Sequence, residues 1–324
     1  MNKLEQLLTN YETIIADGGM GTMLMDAGLE QGDPPEMWNL LHPDRIRTIH
    51  RGYIEAGSQI ILTNSFGGTR FRLKLHKLQD RAFELNKAAA KLARVEADAN
   101  AATVVVAGSI GPSGEIMAPI GALAYADAVV GFAEQAEGLA AGGVDVLWIE
   151  TMSDLSEVRA AVEGCRQVTD LPIVATMTFD TNGRTMMGIT PVQAFNELSA
   201  MNLTALGGNC GNGLEEIEEV IQAMYATNQT YPFVAKSNAG IPEYLNGHLH
   251  YNGTPEVMAD YAVKVRNYGA RIIGACCGST PAHIVAMVNA LANAPIERQI
   301  VETAVTITAP TRTRTRTHSR RRRG

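Results

Sequence analysis

Short apolar runs recur along the chain, and each ends in small or polar residues before a longer amphipathic segment begins. The runs are TIIADGG (13–19), QIILTNS (59–65), TVVVAGS (103–109), VDVLWIE (144–150), PIVATMTF (172–179), TALGGNC (204–210), PFVAKSN (232–238) and ARIIGAC (270–276). Length and β-branched content predict eight strands. Helical spacing fills the gaps at Pro43–Ala56, Gln79–Asn100, Ala124–Ala141, Ser153–Val168, Pro191–Met201, Leu214–Thr227, Pro255–Tyr268 and Pro281–Ala294. Gly57 stops the first, Ser153 and Asp154 cap the fourth, and Thr-Pro opens the last two. Strand–helix units repeated eight times predict a parallel sheet with right-handed crossovers. A closed (β/α)8 TIM barrel fits this count and length better than an open doubly wound sheet.

Composition agrees with one large core. Of 324 residues, 46% are hydrophobic and 19% charged, which excludes a disordered body. No apolar run is long enough for a membrane helix. The opening MNKLEQLLTNYET lacks an apolar stretch, so no secretory signal is expected and the protein reads as cytoplasmic. No linker precedes residue 295 or so; the expected organisation is a single α/β domain over 1–296 and a disordered basic tail over 297–324. The last fourteen residues hold seven Arg and no acid. Without them the body nets −14, with 20 basic residues against 34 acidic, so its own field disfavours nucleic acid.

In such barrels chemistry gathers where strands end. Here those ends carry Asp17-Gly18-Gly19, Asn64-Ser65-Phe66, Ser109 to Glu115, Glu150, Cys210, Asn238 and Cys276-Cys277. Three cysteines from two strand ends can hold one soft cation, and zinc with thiolate ligands is the best match. The competing reading is three small buried fillers. The flanking glycines, GGNCG and GACCG, favour irregular backbone over core packing and so favour the metal. Cys165 lies inside a predicted helix and reads as structural. A zinc with three thiolates is a poor Lewis acid for hydrolysis but suits activation of a bound thiol, and so alkyl transfer to sulfur.

The segments ADGGMGTML, ILTNSFGGTRFRL, GSIGPSGE, WIETMSDLSEVRAA, GGNCGNG, NAGIPE and IIGACCGSTPAHI resemble the homocysteine S-methyltransferase family over about residues 10–293. PEMWNL, TNSFGGTRFRLKLH, WIETMS and TPEVMADY most resemble its bacterial betaine–homocysteine members. The chain is also similar to the homocysteine-binding module of cobalamin-dependent methionine synthase. The resemblance implies a zinc-dependent enzyme that methylates homocysteine to methionine. Cys210, Cys276 and Cys277 would hold the zinc. Asp17 and Glu150 would receive the substrate ammonium, and backbone around Gly18 and Gly19 its carboxylate. Asn64 and Asn238 would hydrogen-bond the substrate.

Glycine betaine is the expected methyl donor, with Trp38 and Phe66 near the rim to face its quaternary ammonium. Animal betaine enzymes carry tyrosines where this chain has Thr151 and Gly67. S-methylmethionine, or methylcobalamin on a partner corrinoid protein, are the alternative donors. Two other classes compete: a zinc lyase or hydrolase, which would want His and carboxylate ligands, and a non-enzymatic binding protein acting through the Arg-rich tail. No membrane partner is expected, and a homo-oligomer stays open.

Overall fold

The computed structural model describes residues 1–245 and 248–299. Eight parallel strands form: β1 Ile14–Ile15, β2 Ile60–Leu62, β3 Val105–Ile110, β4 Val146–Met152, β5 Ile173–Met177, β6 Ala205–Cys210, β7 Phe233–Ser237 and β8 Ala270–Ala275. They pair in chain order from β2 to β8, and β1 pairs with β8 in the register Ile14↔Ile272. A parallel bridge between Ala16 and Ile60 joins β1 to β2 and closes the ring. The Asp17 N–H donates to Ile60 O at 3.0 Å across this seam. The first predicted run therefore supplies a short strand, because Asp17-Gly18-Gly19 leaves the sheet at the rim.

The crossover helices are α1 Pro43–Glu55, α2 Ala82–Asp98, α3 Tyr125–Gly142, α4 Leu155–Val168, α5 Pro191–Ser199, α6 Leu214–Thr227, α7 Pro255–Asn267 and α8 Pro281–Asn293. Thr190, Thr254 and Thr280 stand before the prolines that open α5, α7 and α8. At α5 this makes a capping box, in which Thr190 and Gln193 each satisfy the other's backbone N–H. This is the (β/α)8 barrel that the sequence pattern predicts. No helix among the described residues is long and apolar enough to cross a membrane. The expected tail lies outside the described residues from position 300 onward.

Side-chain alternation splits the core into two layers. Ile14, Ile60, Val105, Val146, Val174, Ala205, Val234 and Ile272 fill the barrel interior. Residues next to them, such as Ile15, Ile61, Leu147 and Phe233, pack outward with the helices in a separate layer. A further helix, Lys3–Asn10, has no place among the eight crossovers. It is held by a reciprocal Asn2–Glu5 cap, and its Leu4 and Leu7 pack into the interior layer. This helix plugs the end of the barrel opposite the strand C-termini. Leu4→Ala is expected to cost about 2–3 kcal/mol, the lower part of the range for a buried leucine. Chemical denaturation would measure it, and a loss below about 0.5 kcal/mol would show that the plug is dispensable. A two-stranded antiparallel hairpin, Pro242–Leu245 with His248–Tyr251, follows β7 and was not anticipated.

Candidate active site

The strand C-termini open onto a cavity of about 280 Å³. Period-two alternation decides what faces it. Val146, Trp148 and Glu150 all point inward from β4, as do Val234 and Lys236 from β7. The apolar members form the core, and the terminal members, Glu150 and Lys236, line the cavity.

Cys210, Cys276 and Cys277 meet at one side. Their sulfurs all lie within 4.8 Å of one another, and the Cys210 and Cys276 sulfurs are 2.9 Å apart. Backbone geometry makes this meeting. Cys210 adopts φ +60° and Gly211 φ +81°, so the chain turns sharply as β6 ends. Cys276 continues β8, its N–H bonded to Ser237 O at 2.7 Å. Cys277 then turns, its N–H donating to Asn238 Oδ1 at 3.2 Å, before Gly278 at φ +80°. Adjacent cysteines can thus face one point. Hydrogen bonds from Cys210 and Cys276 hold the Cys277 thiol well below the ordinary thiol range, while Cys276, Cys277 and burial push Cys210 well above it. Thiols so placed compete for their protons, and a bound cation relieves that competition. Three convergent sulfurs with no further protein ligand in the group fit a metal ion with one open position.

Opposite the sulfurs stands a buried charge cluster. Lys236 Nζ donates to Asp17 Oδ1 at 2.8 Å, with side chains only 2% and 1% exposed. Asp17 Oδ2 accepts the Leu62 N–H at 2.7 Å. Glu150 Oε1 accepts from Ser109 Oγ at 2.5 Å. Burial pushes the Glu150 carboxyl up to about 7, against the pull of Lys236. Lys236 was not among the residues expected at the site. It sits in an apolar run whose C-terminal end was credited to Asn238 alone.

The other expected residues are placed as follows. Gly18 and Gly19 line the cavity, and a side chain on Gly19 would meet Cys276 O at 2.6 Å, so glycine permits the rim of β1 to touch the cysteine turn. The Gly19 N–H already donates to Ser279 Oγ at 2.9 Å. Asn64 lines the wall, and its Nδ2 ties down Pro35 O at 2.8 Å. Asn238 spends its amide on Gly211 O, at 2.7 Å, and on Cys277, and so braces the two cysteine turns. Trp38 does not reach the cavity. Its ring packs edge-on to His42 at 4.6 Å, with the Arg45 guanidinium 5.1 Å from the ring centre.

Asn209, also missed, has a supporting part. It accepts from Thr176 Oγ1 at 2.6 Å and from the Thr151 N–H at 2.8 Å. These bonds hold Thr151 at φ +61°, a rare conformation for a β-branched residue, just after Glu150. Its signal was its place inside GGNCG, between two strand-end glycines and a ligand cysteine.

The outer half of the cavity is lined by Glu36, Phe66, Arg72 and His76. The Gly67 N–H donates to Glu36 Oε1 at 2.7 Å, and a side chain at 67 would run into that carboxylate. Arg72 takes part in none of the ion pairs among the described residues.

A (β/α)8 barrel with a charged pocket and a three-thiol cluster that fits a metal ion at its C-terminal mouth has the form of a barrel enzyme. A family model described as homocysteine S-methyltransferase matches residues 14–291, and the chain belongs to that family of enzymes. It is 31% identical over 299 residues to a methionine synthase of Mycobacterium tuberculosis, covering 88% of this chain. It is 30% identical over 286 residues to that of Mycobacterium leprae, covering 84%. The chain spans about a quarter of the length of these curated relatives. Among solved structures, the metallated form of the Escherichia coli homocysteine methyltransferase MmuM superposes with a TM-score of 0.75 at 26% identity, covering 88% of this chain and 99% of that one. The apo form gives 0.71 at 25% identity, covering 89% and 100%. These findings meet the expectation of the homocysteine S-methyltransferase family.

Proposed function

We propose that this protein methylates the thiol of homocysteine to give methionine, with zinc on Cys210, Cys276 and Cys277 and glycine betaine as donor. The observation that carries the reading is the meeting of three sulfurs from two strand ends with Glu150 in one cavity. Zinc held there supplies the charge that keeps an acceptor thiol deprotonated at neutral pH. The charged end of the cavity, where Glu150 stands beside the Lys236–Asp17 pair, receives the substrate ammonium. Gly18, whose N–H makes no hydrogen bond among the described residues, lies along the path of its carboxylate. The acceptor sulfur attacks a donor methyl carbon in line. The new S–C bond forms as the C–N bond breaks, its electron pair stays on nitrogen, and dimethylglycine leaves.

The outer half of the cavity supports a donor that is both cation and anion. Glu36 and Phe66 offer a carboxylate and an aromatic face for an onium group, and Arg72, without an ion pair among the described residues, offers a guanidinium for a carboxylate. Betaine carries both charges. So does S-methylmethionine. Methylcobalamin on a partner corrinoid protein makes no use of this pairing, although the resemblance to cobalamin-dependent methionine synthase keeps that donor as a second reading. Zinc-loaded protein mixed with homocysteine and each donor in turn, with methionine measured, separates them. Arg72→Gln is expected to raise the betaine KM by about 10-fold or more, the scale of one charge-assisted hydrogen bond, and to leave the homocysteine KM alone. Turnover with methylcobalamin and none with either onium would overturn the donor reading.

A further inference from the structure

The acceptor end of the cavity carries more charge than one ammonium requires. Glu150 and the ammonium of Lys236 line the cavity there, and a second carboxylate, Asp17, lies buried behind Lys236, outside the lining. Asp17 is occupied on both sides. Oδ1 takes Lys236 Nζ at 2.8 Å, and Oδ2 takes the Leu62 N–H at 2.7 Å. Burial raises the Asp17 carboxyl, while both of its partners donate and so hold the carboxylate form. Lys236 is fixed from below as well, 5.9 Å from the centre of the Trp148 ring. Glu150 is different. Ser109 occupies its Oε1, and none of the hydrogen bonds among the described residues reaches its Oε2.

We propose that Lys236 sets the acceptor specificity of this enzyme: by neutralising Asp17 it leaves a single net negative charge, carried by Glu150, for a single substrate ammonium. Asp17 then acts through its charge rather than by touching the substrate. Lys236 is a positioning residue, and it rests on the homocysteine reading above. A thiol acid without an amine leaves Glu150 unpaired in the closed site and binds less well. A pocket of net charge zero loses the preference for the amine. One of net charge −2 strengthens it.

The discriminating pair of ligands is homocysteine and 4-mercaptobutanoate, the same thiol acid without the amine. Calorimetric titration of zinc-loaded protein gives the ratio of their dissociation constants and needs no donor. The wild type is expected to prefer homocysteine by about 10-fold or more. Asp17→Asn should abolish most of that preference, and Lys236→Met should enlarge it. The double variant Asp17→Asn/Lys236→Met should return to within about threefold of the wild type, because its net charge is again −1. Either single variant leaves one buried charge unpaired and is liable to misfold. The double variant removes both charges, and with the wild-type ratio it keeps the inference falsifiable where a single variant does not fold.

A double variant that lacks the preference would overturn the inference, since Asp17 would then be a direct contact. So would a Lys236→Met protein with reduced preference, or a wild type that binds both thiols equally. Protein that binds homocysteine but turns over no donor would overturn the donor assignment and leave these ratios standing. Zinc-loaded protein that binds neither thiol would overturn both.

Discussion

Cys276→Ala is expected to empty the metal site and abolish turnover together. Zinc content should fall from about one ion per chain to under a tenth of that, and methionine formation by about 10³-fold or more. Cys276 is the sulfur nearest Cys210, at 2.9 Å, and the residue that carries β8 into the turn. Its removal leaves two thiols, too few for a closed thiolate site. It also removes the charge that keeps an acceptor thiol deprotonated at neutral pH, and an unbound thiol has a pKa near about 8.5. Cys165→Ala is the matched control. That cysteine is fully buried in α4, and burial pushes its thiol up to about 12, so it is inert. Its loss should cost about 1 kcal/mol of stability and no zinc. Metal content by atomic emission, measured beside methionine formation, reads both. A zinc-free Cys276→Ala protein with full activity would falsify the metal assignment.

The convergence of the three sulfurs was legible in the sequence for a physical reason. A cysteine at a strand end flanked by glycines announces both a thiol and the bend that aims it, and both signals are local. The barrel was legible because each strand is an apolar run with polar residues at its C-terminal end. Lys236 was not legible in the same way. Its partner lies 219 positions away, and the 2.8 Å contact exists only once β7 and β1 flank β8 in the closed ring. A lysine in PFVAKSN carries no local mark of burial. Trp38 shows the opposite case. An aromatic near the rim attracts a ligand reading, yet nearby His42 and Arg45 occupy both its edge and its face. The plug helix was hidden because only Leu4 and Leu7 of a polar opening segment turn inward.

Glu150→Gln should weaken homocysteine binding by about 30- to 100-fold, or about 2–3 kcal/mol, the cost of removing one partner from a buried charge pair. The variant keeps shape and one hydrogen bond to Ser109, so the loss reports charge. Its pH dependence makes the claim sharper. In the free protein burial holds the Glu150 carboxyl at about 7, so it is largely protonated below neutrality. An ammonium needs the ionised form, and binding must expel that proton. Below pH 7 homocysteine affinity should therefore fall more steeply in the wild type than in Glu150→Gln, by about a further tenfold per pH unit, the thiol's own proton accounting for the slope that both share. Stability moves in the opposite direction. A carboxyl raised from 4.5 to about 7 binds its proton more tightly folded than unfolded. Wild-type stability should thus decline by about 3 kcal/mol as pH rises from the unfolded value through 7, then level off. Glu150→Gln is spared that loss, so it should be the more stable protein at pH of about 8 and nearly equal to wild type at about 4. Denaturant titrations at the two pH values read this directly. A variant less stable than wild type at the higher pH would mean that Glu150 is a structural acid, not a charge held out of water for a substrate.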